Sequence, residues 1–104
     1  MPVVRHINFL KKVTIMIEVK EAVKIATDFV NNVLSEEKFD RITLEEVELS
    51  EDSSYWYVTI GLGKIVTEGP FEALAGRSKL SVKYRIFKIE IKTGRVVSMK
   101  MRDE

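Results

Sequence analysis

The sequence contains no cysteine and a single histidine, His6, among its 104 residues. The absence of cysteine excludes a disulfide scaffold, a cysteine-ligated zinc or iron–sulfur site and a thiol nucleophile. One histidine cannot build a histidine-rich metal cage. Glutamine is also absent, whereas lysine occurs 11 times and glutamate 12 times, a composition typical of thermophilic proteins.

Long hydrophobic runs are missing as well. Nothing approaches the roughly 18 apolar residues of a membrane span, and the apolar residues 7–10 are too few for the core of a secretory signal. We therefore expect a cytoplasmic protein with no membrane partner. Because Met16 is followed by a sequence typical of a chain start, residues 1–15 are predicted to be an N-terminal extension, either disordered or preceding the natural start. Residues 16–104 are predicted to be one domain.

The clearest element is a helix over residues 18–34. Apolar residues recur there at spacings of three and four, which predicts an amphipathic helix with a wide apolar stripe. A stripe of this width has to cover something, and a sheet is its natural partner. The residues of the stripe are Val19, Ala22, Val23, Ile25, Ala26, Phe29, Val30, Val33 and Leu34.

Four strands are predicted after the helix, at residues 42–49, 55–62, 79–91 and 96–102. In the first, the apolar parity changes between Leu44 and Val47, which indicates a β-bulge at the intervening glutamates. In the second, alternation predicts a core face that begins at Trp56. Residues 61–78 are predicted to be a long connection with one helical turn at Pro70, and residues 92–95 a tight hairpin.

This order predicts an α+β domain in which one N-terminal helix packs on a four-stranded antiparallel meander sheet. The chain order is helix, strand, strand, long loop, strand, strand. One face of the sheet is covered by the helix, and the other is left open. The open face is rich in aromatic residues and is predicted to show Tyr55, Tyr57, Thr59, Tyr84, Ile86 and Lys88.

Three stretches resemble the PepSY domain and, more loosely, the cystatin-like folds. They are the helix with Ala22 and Ala26, the strand pair that contains residues 47–49 and 55–58, and the final hairpin at residues 84–97, with its Thr-Gly turn. The resemblance covers residues 18–102, although the connection at 61–78 is longer than the usual turn of the family. It implies a non-catalytic module that binds or restrains a protein partner; because a fold does not determine function, this is an analogy.

Charge is distributed unevenly along the chain. Residues 18–52 contain 11 acidic and 4 basic residues, a net charge of −7, whereas residues 77–102 contain nine basic residues and Glu90 alone, a net charge of +8. The acidic and basic segments are predicted either to pair within the chain or to be solvated; the alternative is that the basic hairpin meets an acidic surface of another copy, a partner protein or nucleic acid. Lysines on an edge strand also discourage aggregation. The candidate interaction surface consists of Tyr55, Tyr57, Tyr84, Ile86, Lys83, Arg85 and Lys88.

No catalytic, cofactor or metal site is predicted. Glu45, Glu46 and Glu48 are an acidic cluster, but alternating residues of a strand diverge to both faces, so their carboxylates are not expected to converge on a cation. The Gly-Leu-Gly-Lys sequence at 61–64 lacks the rest of a phosphate-binding loop and is interpreted as a turn. No pair of carboxylates is marked for acid–base catalysis.

Three functions remain open. The first is a non-enzymatic interaction module, inhibitory or regulatory, that binds a protein partner or a second copy of itself through the open face or a strand edge. The second is a nucleic-acid-binding domain, although the pI of about 7.9 is low for that class; it would use Lys79, Lys83, Arg85, Lys88, Arg95 and Lys100. The third is a small cystatin-like enzyme or ligand binder, which requires a pocket that Phe29, Trp56 and Phe87 do not fill.

Overall fold

A computed structural model describes residues 17–102, so the N-terminal extension predicted for residues 1–15 lies outside the described residues. The four strands form one antiparallel sheet in the order β1-β2-β3-β4, and one long helix accompanies it. The predicted α+β class and element order are confirmed. The elements are α1 (Val19–Val33), a 3-10 turn (Ser35–Glu37), β1 (Arg41–Leu49), β2 (Tyr55–Val66), α2 (Pro70–Leu74), β3 (Lys79–Glu90) and β4 (Val96–Arg102).

The core lies between α1 and one face of the sheet. Ala22, Ala26 and Val30 follow one another at a spacing of four, so they share a helix face, and all three are buried. The two alanines let the helix backbone approach the sheet closely. The rings of Phe29 and Phe87 meet edge to face with their centroids 5.4 Å apart. The sheet contributes Val58, Ile60, Leu62, Phe87 and Ile89, all buried.

The chain enters the fold through a pair of hydrogen bonds at Ile17. Its amide donates to the Ile91 carbonyl at 3.0 Å, and its carbonyl accepts from the Trp56 indole Nε1 at 3.2 Å. These bonds fix the start of α1 against the end of β3. Among the described residues, no helix has both the length and the apolar character needed to cross a membrane.

β2 is longer than the sequence analysis predicted. It continues to Val66 and pairs with β3 over 12 residue pairs, so the predicted connection at 61–78 was wrong in its first six residues. The turn predicted at 61–64 was wrong as well, because these residues lie within β2. The two glycines there are needed because side chains of neighbouring strands lie directly against them. A Cβ on Gly61 would lie 2.8 Å from Thr43 Oγ1, and one on Gly63 would lie 2.9 Å from Leu80 Cδ1. The helical turn at Pro70 is confirmed as α2.

The turn between β1 and β2 is organised by Asp52. Its Oδ1 accepts hydrogen bonds from Ser50 Oγ at 2.8 Å and from the Ser54 amide at 3.1 Å. Both bonds favour the charged carboxylate, first the one from the Ser50 hydroxyl, so the pKa of Asp52 is lowered from its usual 3.8. The turn is therefore best stabilised when Asp52 is ionised.

We expect the Asp52→Asn variant to lose part of the pH dependence of stability. A lowered pKa in the folded state means that the contribution of Asp52 is present in full above pH 3.8 and is lost as the pH falls through the folded pKa. Thermal unfolding followed by circular dichroism between about pH 2 and about pH 6 measures this. The difference in Tm between the two proteins should shrink below the usual aspartate pKa; a difference that is constant with pH would contradict the assignment.

Candidate functional site

The face of the sheet opposite α1 is the candidate site. Parity along β2 and β3 places Tyr55, Tyr57, Thr59, Tyr84, Ile86 and Lys88 there, as the sequence predicted. The register pairs Tyr57 with Lys88 and Thr59 with Ile86 across the two central strands. These side chains form the floor of the site.

Long side chains at the edges make this face concave. Arg102 on β4 and Glu46 on β1 belong to opposite edges, which stand three strand spacings or roughly 14 Å apart in a flat sheet. Their two side chains together bridge this spacing, and Arg102 Nη1 and Glu46 Oε1 are 3.8 Å apart. They reach over the short side chains of the floor, and Thr59 beneath them is only 3% exposed although no further layer within residues 17–102 covers it. A cavity of about 490 Å³ lies between the edges and is lined by residues of all four strands.

The bulge in β1 gives this cavity an acidic edge. The pairing shifts between Leu44 and Glu46, so the apolar parity changes there as predicted. Contrary to the sequence analysis, the carboxylates do not diverge. Glu45 accepts a hydrogen bond from Thr43 Oγ1 at 2.6 Å above Gly61, and Glu46 and Glu48 line the cavity. Within residues 17–102, no group of three potential metal ligands is close enough to hold an ion.

The opposite side of the cavity is basic. The Nζ atom of Lys88 lies 4.3 Å from the ring centroid of Tyr55 and 5.9 Å from that of Tyr57. The guanidinium carbon of Arg102 lies 4.6 Å from the ring centroid of Tyr84. Cation–π attraction thus holds these two cations over the aromatic floor. Lys100 lines the cavity beside them.

Lys83 and Arg85 do not join the other residues of the candidate surface. Arg85 pairs with Ile60 and Lys83 pairs with Leu62, so both lie on the face that α1 covers in part. Arg85 Nη1 donates to the Tyr84 carbonyl at 3.1 Å. The basic hairpin is therefore divided between the two faces: Lys79, Lys83 and Arg85 on one, Lys88 and Lys100 on the other, and Arg95 in the turn.

Both edges of the sheet are irregular. β1 has its bulge between Leu44 and Glu46, and the pairing of β3 with β4 shifts between Lys88 and Ile89. A bulge interrupts the row of backbone donors and acceptors that an added strand would need. The edges are thus poorer binding surfaces than the concave face.

Three members of the site were not predicted from the sequence: Glu46, Glu48 and Arg102. Each has the parity of the open face once the bulge is counted, so the parity change at Glu45 was the signal that could have placed the two glutamates. Arg102 has the parity of Lys100 on β4. Its reach to the far edge depends on the conformation of its long side chain, which parity does not report.

Comparison of the chain with protein-family models, with curated proteins and with solved structures found no match. The resemblance to PepSY and cystatin-like domains therefore stays a prediction. The chemistry of the concave face is therefore the basis for a functional proposal. Its distinguishing property is an aromatic and aliphatic floor between one acidic and one basic edge.

Proposed function

We propose that the chain is a non-enzymatic, cytoplasmic protein-interaction domain that binds its partner through the concave face. The observation that carries the proposal is the cavity of about 490 Å³, with Tyr57 and Ile86 in its floor and charges of opposite sign at its two edges. Aromatic and aliphatic groups surrounded by a polar rim are the usual composition of a protein interface. An inhibitory or regulatory role is what the PepSY resemblance adds.

The other candidate functions have less support. A cystatin-like binder would need room between helix and sheet, but Phe87 is fully buried there and in contact with Phe29. A nucleic-acid surface would need its cations on one side, whereas Lys83 and Arg85 lie on the face opposite Lys88. Strand addition would need a regular edge, and both edges contain a pairing shift.

The absence of native cysteine allows a position-specific test. Ser98 lines the concave face, and Asn32 is exposed on α1. We would prepare Ser98→Cys and Asn32→Cys, attach a photo-cross-linker to each, and irradiate both proteins in an extract of the source cells. Cross-linked proteins, including copies of the chain itself, would be identified by mass spectrometry.

The proposal expects a discrete set of cross-linked proteins from position 98 that is absent from position 32. The addition of excess unlabelled wild-type protein should reduce cross-links to other proteins, because it competes for the same partner. Cross-links to the chain itself should instead form with the added unlabelled copies. If the two positions yield the same proteins, or if position 98 yields none, the concave face is not a protein-binding site.

A further inference from the structure

The concave face separates its charges by edge. Glu46 and Glu48 stand on β1 at one edge of the sheet, and Lys100 and Arg102 stand on β4 at the other. Within residues 17–102, Arg102 and Glu46 form an ion pair, whereas Glu48 and Lys100 form none. A surface that meets this face matches it best if its own acidic and basic edges are arranged in the reverse order.

The register places opposite charges in the same row. Glu46 pairs with Thr59, Thr59 with Ile86, and Ile86 with Lys100, so Glu46 and Lys100 stand at the two ends of one row across the sheet. A rotation by a half-turn about an axis parallel to the strands keeps every row at its own height and exchanges its ends. A second copy rotated in this way presents its basic edge to the acidic edge of the first.

We propose that the concave face binds the same face of a second copy of this chain, with the two-fold axis parallel to the strands. The inference rests on the proposed function of the face and names its partner. Glu46 of each protomer then faces Lys100 of the partner subunit, and symmetry makes this contact twice. The other two-fold axis in the plane of the interface, perpendicular to the strands, brings acidic edge to acidic edge and is disfavoured by repulsion.

The long side chains at the edges determine how the two copies meet. Because these side chains rise above the floor of each face, the edges come into contact before the floors. The two cavities of about 490 Å³ join into one chamber between the sheets, with Tyr57 and Ile86 of both protomers in its walls. The two α1 helices lie on the outside. Partial burial of the facing charges strengthens their attraction relative to an exposed ion pair.

Charge exchange between the edges tests this arrangement. Light scattering on purified protein should give twice the chain mass of 12.0 kDa. Lys100→Glu should raise the Kd of the dimer at least about tenfold, because it places two like-charged contacts in the interface. The double variant Glu46→Lys/Lys100→Glu should restore dimerisation, because the exchanged charges again face their opposites. Lys20→Glu, an equal charge change on the exposed side of α1, should leave the mass unchanged.

Circular dichroism on each variant establishes that it is folded before its mass is interpreted. A wild-type protein that is monomeric at every concentration overturns the inference, as does a folded double variant that stays monomeric or a Lys100→Glu protein that dimerises like the wild type. Cross-linking from position 98 distinguishes the proposed protein binding by the concave face from the proposed pairing with a second copy. Cross-links to other proteins alone contradict the self-pairing and leave the proposed function standing, whereas no cross-links at all contradict both.

Discussion

Replacement of Phe87 by alanine should lower the free energy of unfolding by about 3–5 kcal/mol. Phe87 is fully buried near the end of β3 and packs edge to face against Phe29 with ring centroids 5.4 Å apart. Truncation removes this ring from the core and leaves a cavity that α1 and the sheet can close only by moving toward each other, which would disturb their other contacts. Since domains of this size are stable by only about 5–15 kcal/mol, the variant should be close to unfolding at room temperature.

The chain provides a matched control for this experiment. Phe71 in α2 is 70% exposed, so Phe71→Ala removes the same atoms from a place where they contribute little packing. Its free energy of unfolding should stay within about 0.5 kcal/mol of the wild type. Urea titration followed by circular dichroism gives both values. A similar loss in the two variants would mean that the core is not where the structure places it.

Deletion of single residues in β1 should have opposite results on the two sides of the bulge. Glu45 is the extra residue, since Leu44 pairs with Ile60 and Glu46 pairs with Thr59. Deletion of Glu45 joins the two halves into one regular ladder, so the free energy of unfolding should change by less than about 1 kcal/mol. Deletion of Thr43 cannot restore a regular ladder in this way, because the part of β1 before the bulge must shift its pairing with β2 by one residue.

That slip changes which side chains face the core. If Leu44 stays opposite Ile60, Ile42 moves to the concave face; if the bulge absorbs the gap, Glu45 takes the place opposite Ile60. Either outcome should lower the free energy of unfolding by about 1–3 kcal/mol, because a partly buried aliphatic side chain leaves the core face or a glutamate enters it. Urea titration of both deletion variants measures the contrast. Equal stability of the two would show that β1 does not have this register.

Periodicity in the sequence was enough to predict the helix, the strand order and the bulge. The reason is that one face of each element is buried, so the spacing of Ala22, Ala26 and Val30 or of Val58 and Ile60 reports directly which way the side chains point. The parity change between Leu44 and Val47 likewise required an extra residue. These features depend on neighbouring residues in the chain.

The errors arose where distant strands decide the outcome. Gly61 and Gly63 were interpreted as turn residues, because only the side chains of Thr43 and Leu80 on other strands reveal why glycine is needed within β2. The contact of Arg102 with Glu46 joins side chains of β4 and β1, which are far apart in the sequence. Lys83 and Arg85 were grouped with the open face for their charge, although their parity with Phe87 already assigned them to the other side.

The meander order has a consequence for synthesis of the chain on the ribosome. α1 is made before any strand, but its buried residues Ala22, Ala26 and Val30 form one core with Phe87 and Ile89, which lie at the end of β3. Each hairpin can form as soon as its second strand has emerged from the ribosome. The helix, in contrast, has no complete surface to cover until β3 has emerged. Its apolar stripe therefore stays exposed after the first hairpin has formed, and newly made chains remain accessible to chaperones at this stripe until β3 emerges.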